Sequence, residues 1–334
     1  MAALANTHPT LLDFQATLGP DDKVGRTIGI LDEVNPMIAD VNMIEGNEVD
    51  SHVSMMDTGI PEPAFRKYYG YTQPAKGTQA KVRDTCAMAE AYPEVDKALA
   101  DRNNNAAAFR MNQLRKHIEG FGQKFSTSVF YGNSATEPEG VLGLAPRFAT
   151  KSGAVNGENI ILGGGAGADN ASIWLVVHGE TKGLHGFYPK GSQAGIQIND
   201  QGEQTKPDPA GTGGYMQVYR NHIRWDWGFA VPDWRYIVRI PNIDVSDLKK
   251  DPSTGGADLI EKITMALELP PDLNGRPIIY CCRTLRTFLR LQVQNAVKNS
   301  TLTMEDVAGK RILMFDGIPV KRVDSLLENE SLVA

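Results

Sequence analysis

The chain has 334 residues, 41% of them hydrophobic, which is enough for a sizeable core without disulfide or metal staples. Its formal charge of −6 argues against a wide surface that grips a phosphate backbone, although a local basic patch stays open. No apolar run reaches membrane-spanning length, and the first residues lack the basic and apolar regions of a signal peptide, so neither a membrane partner nor an export leader is expected.

Residues 1–45 read as an N-terminal arm. Leu11, Leu12, Phe14 and Leu18 are apolar, but Pro9, Gly19 and Pro20 interrupt them, and such arms hold a structure only when something covers them. Residues 46–86 predict an extended β-ribbon. Val49, Ser51, Val53 and Met55 alternate with Glu48, Asp50, His52 and Ser54, and later Ala80, Val82 and Cys86 alternate with Gln79, Lys81, Arg83 and Thr85. One polar face is acidic and the other basic, so the two are expected to lie opposite each other. Gly59, Pro61, Pro63, Gly70 and Pro74 between them predict an elaborate tip. A two-stranded ribbon is marginal alone in water. A neighbouring subunit is its natural support, with Val49, Val53, Met55, Lys81 and Arg83 as candidate interface residues.

A long helix is expected over residues 103–131. Ala107, Met111, Leu114, Ile118, Phe121, Phe125 and Val129 recur at steps of three and four, the asparagines 103–105 offer an N-cap and Gly132 a stop. Met111, Leu114, Ile118, Phe121 and Phe125 are its expected core stripe, and Gly120 and Gly122 mark a bend or a close approach. The helix is the spine of a segment, 87–250, whose later part is β-rich. Residues 172–178 form an apolar strand. Tyr219, Ile223, Trp225 and Trp227 alternate with Arg220, His222, Arg224 and Asp226, and Trp234, Tyr236, Val238 and Ile240 alternate with Arg235, Ile237 and Arg239, the pattern of half-buried antiparallel strands. Residues 206–214 read as an exposed loop.

Residues 251–334 predict a self-contained α/β unit. It has a short helix over 258–268, a buried strand over 277–282 and an amphipathic helix carrying Leu285, Phe288, Leu289, Val293, Ala296 and Val297. The outer face of that helix bears Arg283, Arg286 and Arg290. Asp316-Gly317 between two apolar runs signals a two-residue hairpin.

Candidate chemistry is sparse. Gly163, Gly165 and Ala168 fit a dinucleotide fingerprint in spacing, but a strand follows where the fingerprint needs a helix, so a flexible glycine loop is expected. His178, Glu180 and His185 do not share a helix face and read as surface or loop residues. Gly309-Lys310 lacks the glycine loop of a phosphate site. The three cysteines, Cys86, Cys281 and Cys282, lack a C-x-x-C spacing and read as buried free thiols. No catalytic, cofactor or metal residue is assigned.

The order of parts resembles the tailed-phage and herpesvirus capsid fold, with its N-arm, extended loop, peripheral domain with spine helix, and axial domain. More narrowly it resembles the gene-product-seven-like major capsid proteins of short-tailed bacteriophages. The stretches that carry this are residues 174–191, ending H-G-F-Y-P-K-G, with G-I-Q-I-N-D soon after; R-T-L-R-T-F-L-R-L-Q-V-Q-N-A-V-K-N; and F-D-G-I-P-V-K-R-V-D-S-L-L-E-N-E. The resemblance implies an α+β fold divided into an arm at 1–45, a ribbon at 46–86, a peripheral domain at 87–250 and an axial domain at 251–334. It implies a non-enzymatic subunit of the virion capsid, assembled in the host cytoplasm into pentamers and hexamers of an icosahedral shell. The shell would enclose double-stranded DNA without sequence-specific contact. Further implied partners are a scaffolding protein, a portal and a cement or decoration protein. No lysine–asparagine–carboxylate set for a covalent cross-link is assigned. A carbohydrate-active or other hydrolase, with the tryptophan strands as a sugar platform, and a phage tail or binding module are the alternatives.

Overall fold

A computed structural model of the chain describes residues 35–102, 106–179, 181–207, 213–249, 257–295, 302–307 and 310–334. Most of the expected arm, the asparagines 103–105, Glu180 and Gly309 therefore lie outside the described residues. In chain order the elements are α1 (Met37–Asp40), β1 (Asn42–Glu45), β2 (Ser51–Gly59), β3 (Thr78–Thr85), β4 (Ala87–Ala91), β5 (Glu94–Asp96), α2 (Lys97–Ala100), α3 (Ala106–Tyr131), α4 (Leu144–Arg147), β6 (Asn170–His178), β7 (Gly183–Tyr188), β8 (Gln197–Pro207), β9 (Tyr215–Asp233), β10 (Ile237–Asp244), α5 (Leu259–Leu267), β11 (Arg276–Cys281), α6 (Arg283–Asn295), β12 (Leu302–Val307), β13 (Lys310–Phe315) and β14 (Ile318–Arg322). This is the mixed helix-and-sheet class expected. The described residues fall into two units, one of residues 88–125 and 195–226, the other of 35–87, 126–194 and 227–334.

In the first unit, the Asp96 carboxylate accepts from Ala98 N (2.7 Å) and Leu99 N (3.3 Å), capping α2. This turns Leu99 and Ala100 inward, where they pack with Val95 and Phe109. β8 and β9 form a hairpin that pairs Gln197 with Arg224 at one end and Pro207 with Tyr215 at the other. Lys206 and Pro207 are therefore strand, and the expected loop at 206–214 is shorter than its composition suggested. α3 runs without a break across Gly120, which has open space where a Cβ would stand, so it marks no close approach.

The expected stripe of α3 is only half right. Phe121 and Phe125 are buried, and Phe125 stacks on Trp225 at 4.8 Å. Leu114 and Ile118 are half-buried, Ala107 is exposed and Met111 is 64% exposed. Met111 is not core. In the first turns Phe109, roughly half a helical turn away from Met111 at 3.6 residues per turn, is the buried residue, because Val95, Leu99 and Tyr219 lie on its side. Periodicity sees a continuous stripe, but which side of a helix is covered changes with what lies beside it.

The second unit is organised on a six-stranded sheet of order β10-β6-β11-β14-β13-β12. Every residue of β6 and β10 is buried, so both faces of these strands are covered. The half-buried alternation expected at 234–240 is not found: Trp234–Tyr236 is a 3₁₀ turn, and both Ile237 and Arg239 are inside. β12 was not foreseen. Nor is the C-terminal segment self-contained, because β11 pairs with β6, and β6 with β10. Both partners come from residues the sequence assigned to the peripheral segment, since nothing in a local pattern names a distant partner. The Asp316-Gly317 turn has φ of 49° and 77°, the left-handed pair of a two-residue hairpin. The first part of the expected glycine loop, up to Gly165, is irregular but held against β10. Ile161, Gly163 and Gly165 donate to Arg239 O, Pro241 O and Asn242 O along the edge of β10. A Cβ at Gly163 would fall 2.6 Å from Asn242 O, so glycine is needed for this approach.

Replacing Phe125 with alanine should cost about 3–5 kcal/mol in denaturant unfolding, as for other buried aromatics. Met111→Ala should lie within about 0.5 kcal/mol of the parent, as expected of an exposed site.

Candidate functional site

The ribbon of the second unit is rooted firmly and projects freely. β2 and β3 form a sheet of two strands, with His52 opposite Asp84, Val53 opposite Arg83 and Met55 opposite Lys81. The expected pairing of an acidic face with a basic face is therefore wrong. Residues directly opposite share a face, so Lys81 and Arg83 stand beside the apolar row, and Ala80 and Val82 beside Met56 and Ser54. One acid–base contact survives at the root, where Arg83 Nη2 lies 3.0 Å from Glu48 Oε2. There the Asn47 amide also brackets Val53, donating to its carbonyl and accepting from its N–H, both at 2.8 Å.

Beneath, the buried Asp84 carboxylate takes a 2.6 Å contact from Arg147, which also donates to Leu142 O and Phe229 O. Of the predicted interface residues, Val49, Met55, Lys81 and Arg83 are exposed and Val53 is half-buried. Residues 61–77 of the tip pair with nothing in the sheet, and nearly all are exposed.

α6 has the amphipathic character expected. Leu285 and Leu289 are buried, Arg283 and Arg290 are exposed, and Arg286 is half-buried. Gln292 ties the helix to the start of α5, accepting from Leu259 N at 3.0 Å and donating to Ala257 O at 2.8 Å.

Two buried polar centres escaped the sequence reading, because their members are scattered along the chain. In the first, Arg239 donates to Glu330 Oε2 at 2.8 Å and to Phe148 O at 2.7 Å, while Tyr131 and Ser172 donate to the same carboxylate. Burial and the Glu330 charge hold the Tyr131 phenol well above its ordinary range. In the second, Asp40 accepts from Lys321 Nζ at 2.6 Å and Tyr280 OH at 3.1 Å, and Arg276 donates to its backbone carbonyl. His178 Nε2 lies 3.0 Å from the same phenol.

The histidines are therefore not surface residues: His178 and His185 are both buried. Burial, with the nearby Arg276 charge, pushes His178 down to about 4. Cys281 and Cys282 are buried thiols, each pushed up to about 12 chiefly by burial, which disfavours the nucleophilic thiolate. Trp225 and Trp227 are buried as well, so they offer no sugar platform.

A family model described as major capsid protein GP7 matches residues 19–334. Among solved structures, the chain is similar to that of bacteriophage Epsilon15 at 34% identity and a TM-score of 0.80, over 100% of this chain and 99% of that one. It is similar in fold to the capsid of bacteriophage JBD30 at 10% identity and a TM-score of 0.50, over 97% of this chain and 96% of that one. No curated protein matches.

Glu330→Ala should cost about 3–5 kcal/mol in equilibrium unfolding, because it leaves the Arg239 charge buried and unpaired. Acid should act through His178, which is neutral in the fold down to about pH 4 but charges near 6.5 when the chain unfolds. The unfolded state then binds the extra proton, so stability should fall as pH drops from 6.5 to 4, by about 3 kcal/mol at most. Melting curves of His178→Gln across that interval should be flatter than those of the parent.

Proposed function

The chain belongs to the GP7 family of major capsid proteins and builds the capsid shell of a virion; from that premise we propose how its surfaces do so. The ribbon of residues 46–86 reaches a neighbouring subunit, with Val49, Val53, Met55, Lys81 and Arg83 at the contact. One observation carries this reading: among the described residues the ribbon is two strands without a third, anchored at its root and exposed towards its tip. Such a ribbon is marginal in water, and a second copy would cover it. Residues 1–45 act as an arm, 87–250 as the peripheral domain around α3, and 251–334 as the axial domain, sharing its sheet with β6 and β10.

Five or six copies around a closed axis form pentamers and hexamers of an icosahedral shell. Arg283 and Arg290, with Arg286 behind them, meet carboxylates of the next copy there, since like charges brought that close repel unless paired. Each subunit then spreads its association over several modest contacts, which together exceed about 2,000 Å² as in obligate assemblies. The shell encloses double-stranded DNA without reading its sequence. The net acidity of the subunit suits a wall that must not bind the packed phosphates tightly. A scaffolding protein, a portal and a cement protein complete the particle, which assembles in the host cytoplasm. The subunit performs no catalysis: His178, His185, Cys281 and Cys282 pack in its interior.

Deleting residues 57–76 should leave a folded chain that forms no shells in negative-stain images, and normal particles from that deletion would sink the ribbon reading. Arg290→Glu should weaken capsomers and change their salt dependence, because exposed pairs are screened. A variant whose capsomers sediment like the parent's at every salt concentration would remove the axial assignment of α6.

A further inference from the structure

The tip of the ribbon exposes an apolar surface of a kind found nowhere else among the described residues. Ile60, Phe65, Tyr68, Tyr69 and Tyr71 are each more than nine-tenths exposed, whereas the next most exposed large apolar residues, Val155 and Tyr215, reach 76%. Contiguous exposed aromatics mark a contact surface. The tip is also basic: residues 60–77 hold Arg66, Lys67 and Lys76 against the single carboxylate of Glu62. Its turn is strained. Gly70 N donates to Lys67 O at 3.0 Å, and this closure holds Tyr69 at φ 61°, a left-handed conformation that bulky side chains rarely adopt. Strain held at a site that is exposed among the described residues points to a function outside the subunit.

A surface of matching character lies on α5 and the loop after it. Glu261, Met265 and Glu268 follow one another on one helix face, and Leu269 and Leu273 continue beyond it; all five are exposed. The strip is acidic and apolar, as the tip is basic and aromatic.

We propose that the ribbon tip is an aromatic anchor that docks on the α5 strip of a second copy, setting Arg66 and Lys67 against Glu261 and Glu268, and the tyrosines against Met265, Leu269 and Leu273. The proposal rests on the reading of the ribbon as an intersubunit element. It adds which residues hold and which surface receives them. Tyrosine and arginine are the residue types that most often dominate an interface when desolvated. A left-handed Tyr69 would turn consecutive rings outward, giving the second copy a compact apolar knob with cations at its rim.

The test is assembly of the full-length chain, followed by light scattering against concentration. Lys67→Glu and Glu268→Lys should each raise the threshold for particle formation about tenfold, and the two together should restore it to within about threefold. Tyr69→Gly should melt at or above the parent's temperature, because the strain is relieved, yet assemble only at higher concentration. Zero-length amine–carboxyl cross-linking of parent particles should join Lys67 to Glu261 or Glu268. Single variants that assemble like the parent would overturn the anchor. A double variant that assembles no better than either single one, or a cross-link to Glu328 instead, would overturn the α5 strip. If the 57–76 deletion abolishes shells while the tip variants do not affect them, the ribbon reading stands and the anchor alone falls.

Discussion

A buried ion pair, Arg239 with Glu330, is the contact on which the second unit depends. Five N–H donors are hard to satisfy away from water, and here they find a carboxylate, the Phe148 carbonyl and the Ser172 hydroxyl, with the guanidinium 5.1 Å from the centre of the Trp174 ring. The Glu330 carboxylate in turn takes Tyr131 and Ser172. Desolvating two charges is expensive, and such a centre is stable only when every member is satisfied. It therefore accepts a single arrangement of the segments that supply it: the end of α3, the turn after α4, β6, β10 and the C-terminal tail. The tail is held again where Glu330 N donates to Asn170 O, and where the Asn242 amide and the Val333 backbone exchange two hydrogen bonds.

The Asp40 centre does for the beginning of the described chain what Glu330 does for its end. One carboxylate on α1 gathers Lys321 from β14 and Tyr280 from β11, so the segment leading into β1 is fastened to the middle of the large sheet. Both centres fall where the hydrophobic effect alone is indifferent to register. Apolar strands can slide against one another at modest cost, but a buried carboxylate cannot be left without its donors.

This rigidity is what a shell subunit needs from its platform. The Asp84–Arg147 contact and the Asn47 bracket fasten the root of the ribbon, while among the described residues the strands beyond have no third partner and the tip is exposed. On the proposed reading, the apolar and charged groups that one copy leaves open would be covered by the next.

Local pattern made several elements legible from residue types alone. The alternation at 46–86 announced two paired strands, the steps of three and four announced α3 and α6, and Asp316-Gly317 announced its hairpin, because each depends on neighbours within a few residues. The basic face of α6 was readable for the same reason. The family resemblance named the capsid family, and the matches over nearly the whole chain bear that family out. What remained for the tertiary structure was set by distance along the chain. It decided that Phe109 rather than Met111 is buried in α3, and that Lys81 and Arg83 stand beside Val53 and Met55. It also decided that β6 and β10 complete the sheet of the C-terminal segment, and that His178 and His185 are inside. It also chose Arg239 as the partner of Glu330, and Lys321 as the partner of Asp40. A side chain's environment is made by residues that sequence separates and packing brings together, and only the closed fold specifies which ones they are.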